Sequence, residues 1–332
     1  MIKKIGLMKN KKFKFFDENR IYSKYLILLF ILLFSIFKLN EEKYKKKNLF
    51  FDLKLCLCTL GKNENKYIRE FVEYYKAYGV DKIYLYDNND IQGERFEEVI
   101  EDYIKENFVE IVDYRGIPFA LIKIMNDCYQ KNLYKYDWLI FYEIDEFIFL
   151  KNYTNIKYFL NQSKFNNCQK IQLNWVHRSD NNLIHYDERP VVKRFIQIGK
   201  NVKKNRFNSL GYVKTIIRGN ISINITNNHI LNNQIKGCDG EGRKIKYNGF
   251  LNHNPDYEKY YINHYFSKSV EEFVNKLKRG DAERGATKEN NYYQIGKYFY
   301  INEITPQKID YLEKHLGIDL SKYKKINYLG KE

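Results

Sequence analysis

The sequence predicts an α/β fold with a parallel sheet in its first half, a mixed β-rich second half and an N-terminal membrane anchor. Short apolar runs alternate with helical patterns between residues 52 and 142, and short β-like runs follow residue 168. A long apolar run lies near the N-terminus. Alternating strands and helices favour right-handed crossovers between parallel strands. One large domain after the anchor is therefore the simplest organisation.

The positive charge of the chain is concentrated in its N-terminal part. Of 332 residues, 57 are Lys or Arg and 41 are Asp or Glu, a net charge of +16. Residues 1–54 carry 14 basic and 5 acidic residues, whereas the other 278 residues carry 43 and 36. This distribution disfavours a nucleic-acid-binding protein but keeps it as an alternative. The 44% hydrophobic content argues against a disordered chain, and the 4 prolines exclude a collagen-like one.

An apolar run, YLILLFILLFSIF, covers residues 25–37, and no A-x-A-like cleavage site follows it. We interpret residues 25–39 as an uncleaved signal anchor, between a basic tail (1–24) and a stalk (40–51) that leads to a domain at 52–332. A cleaved signal peptide and a peripheral helix are the alternatives. The expected protein is a single-pass type II membrane protein, facing the ER or Golgi lumen in a eukaryote or held in the inner membrane of a bacterium.

The five cysteines are scattered, which argues against a zinc site or a dense disulfide framework. Cys56 and Cys58 alternate along an apolar run and would share one face of a strand. We interpret these two as small buried hydrophobic residues, together with Cys128, Cys168 and Cys238.

The predicted elements follow one another from residue 52. Strands are expected at 52–60, 81–90, 108–113 and 137–142, and helices at 65–78, 94–105 and 119–132. Gly79 would end the first helix as a C-cap glycine. Short strands are predicted in QKIQLNWV, YVKTIIRG, ISINI and KYNGFLNH. A helix near 268–279 then precedes a weakly amphipathic tail.

Polar residues follow the predicted strands at their carboxyl ends, where ligands bind to such sheets. The sharpest group is Glu143, Asp145 and Glu146, after the fourth strand in DWLIFYEIDEFIFL. Carboxylates here suit an Mg²⁺ or Mn²⁺ ion that holds a diphosphate. A solvated acidic loop is the alternative. Further polar residues follow the first three strands: Thr59, Lys62, Asn63, Glu64, Asp87, Asn88, Asp113 and Arg115.

Two later segments carry more candidates. His264 precedes a helix whose N-cap would be Ser267 or Ser269. Basic residues near that helix could meet a phosphate, although a solvated helix face is the alternative: Lys268, Lys276 and Arg279.

The segment NWVHRSDNNLI contains an aromatic residue and a polar loop. Trp175 offers an apolar platform of the kind on which sugars stack. Asp180 and Asn182 place a carboxylate and an amide on the loop. The alternative is that these residues only form an Asx-rich turn.

Four ordered segments resemble glycosyltransferase family 92 and its relatives in family 2. LCLCTLGKNENKYIREFVEYYKAYGVDKIYLYDNND is similar to the opening of the family, and YDWLIFYEIDEFIFL to its D-x-D-E-F segment. NWVHRSDNNLI resembles a middle N-W segment, and HYFSKSVEEFVNKLKRGDA resembles an H-Y-x-x-K-S ending. The resemblance covers about residues 52–285.

The resemblance implies a GT-A fold, which is a Rossmann-like nucleotide-diphospho-sugar transferase fold, and an inverting hexosyltransferase that needs Mn²⁺ or Mg²⁺. The donor would be a nucleotide sugar, for which the family suggests UDP-galactose, and the acceptor would be a glycan. Asp145 and His264 match the metal ligands of the family. Glu143 stands where the family has Asp, and Leu121 lies near the place of an expected glutamine.

The remaining roles concern the donor and the acceptor. The resemblance implies that Thr59, Glu64 and Asp87 line the nucleoside pocket, and our further candidates for donor binding are Arg115, Glu143, Lys268 and Arg279. Trp175 and Asn182 are assigned to the acceptor. Inversion needs a base that deprotonates the acceptor hydroxyl, and Asp180 is the first candidate, with Asp239 second. A catalytically inactive glycan-binding module is a further alternative.

Overall fold

The computed structural model describes residues 31–39, 53–200, 202, 211–227, 229, 235–245, 251–252, 255–280 and 285–321. The chain divides into two units, Met1–Asp52 and Leu53–Glu332. In the first unit, residues 31–39 form a helix. Among the described residues, no helix is long and apolar enough to cross a membrane. The basic tail, the first part of the predicted anchor (25–30) and the stalk lie outside the described residues.

Strands and helices alternate in the first half of the second unit. The strands are β1 (Leu55–Gly61), β2 (Lys82–Asp87), β3 (Val109–Asp113) and β4 (Trp138–Phe141). The helices are α1 (Asn65–Ala77), α2 (Glu97–Lys105) and α3 (Leu121–Asn132). β1 pairs in parallel with β2 and with β4, and β2 pairs in parallel with β3. These pairings confirm the predicted parallel sheet and its order of elements.

Helix α1 shows why these residues form this element. Its apolar residues recur at helical spacing and are buried: Ile68, Phe71, Val72 and Tyr75. The helix ends at Gly79, whose φ of 88° lies in the left-handed region that glycine adopts without strain. The Gly79 amide donates to the carbonyl of Lys76. The prediction that Gly79 ends the first helix as a C-cap glycine is confirmed.

The second half adds shorter strands and further helices. Its strands are β5 (Glu146–Leu150), β6 (Lys170–His177), β7 (Gly211–Arg218), β8 (Gly237–Cys238), β9 (Leu251–Asn252) and β10 (Tyr260–His264). Its helices are α4 (Ile156–Leu160), α5 (Val191–Arg194), α6 (Val270–Arg279), α7 (Lys288–Ile301) and α8 (Pro306–Leu316). The strand order is β3-β2-β1-β4-β7-β6-β10-β5, with β8 beside β6 and β9 beside β7. β7 is antiparallel to β4 and β6, and β10 is parallel to β6 but antiparallel to β5, so the second half is mixed as predicted.

Some predicted elements differ from the structure. The strand β5 was not expected. The chain turns after β4, where the amide of Glu146 donates a hydrogen bond to the carbonyl of Glu143, and β5 starts at this turn. ISINI (221–225) is not a strand, although Ile223 and Ile225 are buried. In KYNGFLNH, Leu251–Asn252 is a strand, and 246–250 and 253 lie outside the described residues. The predicted C-terminal tail contains α7 and α8.

Apolar clusters cover both faces of the sheet. Along β1, Leu55 and Leu57 belong to one cluster, whereas Cys56 and Cys58 belong to the other, as the alternation of a strand requires. A third cluster lies among α6, α7 and α8 and includes Phe273. The clusters fix the sheet, whose strand ends position the candidate site.

Two disulfides correct the interpretation of the cysteines as unpaired hydrophobic residues. Cys58 on β1 is bonded to Cys128 on α3. Cys168 is bonded to Cys238, since β8 pairs in parallel with the start of β6. Cys56 is buried and free. Each pair is 70 residues apart, so only the fold, and not local spacing, brings the partners together.

Candidate active site

A pocket of about 280 Å³ opens where β1, β4 and β10 end. Six of the thirteen residues predicted from the sequence line it: Glu64, Glu143, Asp145, Trp175, His264 and Arg279. The other seven do not: Thr59, Asp87, Arg115, Asp180, Asn182, Asp239 and Lys268. The six that meet come from both halves of the domain. The pocket therefore depends on the mixed sheet.

Three potential metal ligands meet at one side of this pocket. Asp145 and Glu146 lie at the turn between β4 and β5, and His264 ends β10 directly opposite Glu146 in the antiparallel pair. One ligand atom from each of the three side chains lies within 4.8 Å of the others, and all three are buried. Glu146 was in the sequence motif but had no role assigned to it. The pairing of β5 with β10, which the sequence did not predict, brings it to His264.

The unsatisfied atoms of this group fit a divalent cation. Within the described part of the chain, Asp145 Oδ1 and Glu146 Oε1 are buried and have no hydrogen-bond partner, and Asp145 Oδ1 lies 3.6 Å from His264 Nε2. Buried polar atoms are rarely left so without a ligand or water. Carboxylate oxygens suit Mg²⁺ and Mn²⁺, and an imidazole suits the transition metals.

The surroundings set the charge of each member of the group. Burial raises the pKa of Glu146 to about 8, against the opposing influence of Lys214. Burial also disfavours ionisation of Asp145, but its neighbours, first of all the Lys276 ammonium, outweigh burial and hold the pKa of Asp145 well below its ordinary value. Burial lowers the pKa of His264 to about 4. Its imidazole is therefore neutral at pH 7, as metal ligation requires.

Two lysines contact the acidic turn. Lys276 on α6 places Nζ 2.9 Å from Asp145 Oδ2. Lys214 on β7 places Nζ 2.6 Å from Glu143 Oε1 and 3.5 Å from Glu146 Oε1. Burial opposes the ionised form of Glu143, but Lys214 outweighs it and lowers the pKa of Glu143. Lys214 was missed because it lies on a different strand, far from the acidic motif in the sequence.

Glu64 links the loop after β1 to helix α6. Its carboxylate accepts a hydrogen bond from Arg279 and lies 3.5 Å from Lys268 Nζ. The ammonium of Lys268 also lies 3.7 Å from the ring centroid of Tyr67. Helix α6 begins at Ser269, which forms a capping box with Glu272. Lys268 and Arg279 are thus both paired with a carboxylate, and Lys268 lies outside the pocket.

Trp175 lies in the pocket wall with only 6% of its surface exposed. Its ring centroid is 4.2 Å from that of His264 and 4.9 Å from that of His229, so protein rings cover it. Its Nε1 has no hydrogen-bond partner among the described residues. Trp175 therefore does not present the open stacking platform that was expected.

Asp180, the first candidate for the base, lies outside the pocket. Its carboxylate is 2.7 Å from Lys308 Nζ and accepts a hydrogen bond from the hydroxyl of Tyr298. Asn182 accepts a 2.8 Å hydrogen bond from the same lysine. A base must reach the proton that it abstracts, and Asp180 is 1% exposed. Asp180 is thus part of a buried structural network with Tyr298 and Lys308, and the exposed Asn182 contacts the same lysine, so we do not carry their expected roles forward.

Asp239, the second candidate, is also outside the pocket. Asp239 Oδ2 accepts a 2.7 Å hydrogen bond from Arg243 Nε. Its other oxygen accepts the backbone amides of Glu241 and Arg243. These bonds close a tight turn after β8. We therefore do not propose Asp239 as the base either.

The residues expected to line the nucleoside pocket from β1 and β2 hold the loops near it. Asp87 accepts a 2.8 Å hydrogen bond from Arg115 Nε, and both side chains are largely buried. Arg115 also donates to the carbonyls of Asp90 and Ile91. Thr59 is buried within β1. Asp87 and Arg115 thus fix the loop after β2.

The chain is similar in sequence to plant proteins of glycosyltransferase family 92. A glycosyltransferase family 92 protein of Ricinus communis is 25% identical over 119 residues, which are 33% of this chain and 19% of that protein. A family 92 protein of Arabidopsis thaliana is 26% identical over 117 residues, which are 33% of this chain and 18% of that protein. The matches thus span about a fifth of the length of these relatives.

Among solved structures, S. aureus TarS 1-349 has a TM-score of 0.35 and 10% identity, over 83% of this chain and 76% of TarS. Its complex with UDP-GlcNAc has a TM-score of 0.35 and 11% identity, over 83% and 77%. The family model of glycosyltransferase family 92 matches residues 51–295. Because this match covers well over half of the chain and includes the turn, the histidine and the helix that form the pocket, the chain belongs to glycosyltransferase family 92.

Proposed function

We propose that this chain is a metal-dependent, inverting glycosyltransferase of the GT-A fold, which moves a hexose from a nucleotide sugar to a glycan. The observation that carries the proposal is the buried group of Asp145, Glu146 and His264, of which Asp145 and His264 line a pocket that basic side chains also line. Such a pocket suits a diphosphate, whose negative charge grows as it leaves. Membership of family 92 supports the type of reaction.

In the proposed reaction the bond between the anomeric carbon and the diphosphate oxygen breaks, and its electron pair leaves with the diphosphate. The acceptor oxygen bonds to the anomeric carbon from the opposite face, and its proton passes to a general base. Asp145 and His264, with Glu146 beside them, would hold Mn²⁺ or Mg²⁺, which neutralises charge on the leaving diphosphate.

The other residues orient these groups. Lys276 holds the Asp145 carboxylate ionised through the 2.9 Å hydrogen bond. Lys214 fixes Glu143, which stands in the place of the first aspartate of the family motif. Trp175 forms part of the pocket wall and would shape the space that the donor or acceptor occupies. Preorganised groups of this kind need no reorganisation as the charge develops.

A donor screen tests the proposal. The full chain is incubated with UDP-, GDP- and CMP-sugars, with and without Mn²⁺, and release of the nucleotide is measured. We expect release from a UDP-hexose, with UDP-galactose tested first, in the presence of Mn²⁺ and not with EDTA. Absence of release from every donor, with and without a glycan acceptor, would contradict the proposal.

We also propose that the domain acts in an oxidising compartment, held there by an N-terminal anchor. The two disulfides support this, since such bonds are rare in reducing compartments. Titration of thiols in the denatured chain without reductant should find one of the five cysteines, Cys56, free. A count of five free thiols would contradict the proposal that the domain acts in an oxidising compartment. Extraction with carbonate that leaves the chain in the soluble fraction would contradict the anchor.

A further inference from the structure

The basic side chains that line the pocket are not equally compensated. Among the described residues, the lysines and arginines that line it are Lys62, Lys276, Arg279 and Lys297. Three pair with carboxylates: Lys62 with Asp90 at 2.8 Å, Lys276 with Asp145 at 2.9 Å, and Arg279 with Glu64. Lys297 differs from these three.

Lys297 lies on α7, past residue 295 where the family match ends. Its Nζ is 4.3 Å from the ring centroid of Phe266 and 5.0 Å from that of Trp175. Within the described ranges, no carboxylate lies within ion-pair distance of this ammonium. Aromatic faces attract a cation but bring no negative charge to balance it. Burial, followed by the repulsion of Lys276, lowers the pKa of Lys297 to about 8.

Lys297 is also close to the acidic turn. The ammonium of Lys276, which contacts Asp145, lies 4.6 Å from the same Phe266 ring. The two lysines therefore flank one aromatic ring at the side of the pocket that holds the potential metal ligands. Both ammonium groups are therefore near the place where an anion held at Asp145 would carry its charge, which a charge-assisted hydrogen bond would stabilise.

We propose that Lys297 binds the diphosphate of the donor. The negative charge of the bound diphosphate then balances the positive charge of this ammonium. This inference rests on the proposed function, because it assigns a residue to the same donor. In the proposed complex the ammonium stays protonated and donates a hydrogen bond to a phosphate oxygen. No residue of the sequence motifs supplies this contact, since Lys268 and Arg279 are already paired with Glu64.

The test compares the binding of three probes to the full chain by isothermal titration calorimetry in Mn²⁺: UDP, inorganic pyrophosphate and uridine. The variants are Lys297→Met, Lys297→Arg and the matched control Lys314→Met, which removes an exposed lysine from α8. We expect Lys297→Met to weaken UDP and pyrophosphate by about tenfold or more, the loss of a charge-assisted hydrogen bond, and to leave uridine unchanged. Lys297→Arg should retain most of the affinity, and the control all of it.

Each result has one meaning. UDP affinity of Lys297→Met within twofold of the unsubstituted chain overturns the inference and leaves the proposed function in place. An equal loss for UDP and uridine also overturns it, because the substitution then damages the pocket as a whole. Failure of the unsubstituted chain to bind UDP or pyrophosphate overturns both the inference and the proposed function.

Discussion

Replacement of Asp180 by Ala separates a structural role from a catalytic one. The carboxylate of Asp180 and the ammonium of Lys308 are 2.7 Å apart, and their side chains are 2% and 1% exposed. The substitution leaves Lys308 buried without its counter-charge. Removing one partner of a buried ion pair typically costs about 3–5 kcal/mol. For a domain of this size, that free energy corresponds to a fall in Tm of roughly 6–20 °C.

The assay has two parts. Thermal or urea unfolding of the full chain gives the change in stability, and nucleotide release from the donor, measured well below Tm, gives the activity of the folded fraction. We expect Asp180→Ala to lose stability by the amount above while its folded fraction keeps most of the activity. The double variant Asp180→Leu/Lys308→Met, which removes both charges, should recover much of the lost stability, since apolar replacement of a whole pair is often neutral. A stable Asp180→Ala variant without transfer activity would refute the reasoning and restore Asp180 as the base.

Two further predictions concern stability. Burial opposes the charge of Glu272, but hydrogen bonds from Arg194 outweigh this effect and lower the pKa of Glu272. The pair therefore stabilises the fold fully at pH values above the pKa of Glu in the unfolded chain, which is about 4.3. This contribution is lost as the pH falls through the folded pKa, and Glu272→Gln should flatten the acid side of the stability profile by up to about 1.4 kcal/mol per pH unit; an unchanged slope would contradict the pairing. Replacing Cys168 and Cys238 by Ser should lower the free energy of unfolding by roughly 4 kcal/mol, because their bond closes a 70-residue loop; urea unfolding measures it, and a stability equal to that of the unsubstituted chain would contradict the bond.

Features that depend on the local sequence pattern were predicted best from the sequence. The apolar spacing in α1 and the glycine after it gave the helix and its end, and the apolar runs of β1, β2 and β3 gave the parallel sheet. The acidic turn was found because three carboxylates in four residues have no packing reason to follow a buried strand. His264 was found through the family resemblance.

The sequence could not predict what depends on pairing between distant elements. Lys214 reaches Glu143 only because β7 lies beside β4, and Lys297 reaches the pocket only because α7 packs against α6. Asp180 looked like a polar loop residue, but Lys308, on the last helix of the described chain, buries it. The same holds for both disulfides. Residue type and spacing carry no information about these contacts.

The central claim is that Asp145 holds a metal ion which the donor needs in order to react. It is tested most directly by nucleotide release from the donor that the screen identifies, with the full chain and its Asp145→Asn variant, in Mn²⁺ and in EDTA. Asp310→Asn, which changes an exposed aspartate on α8, is the matched control. We predict that EDTA and Asp145→Asn each lower release by roughly 100-fold or more while the control keeps full activity. Release by a folded Asp145→Asn variant at the rate of the unsubstituted chain would contradict the account.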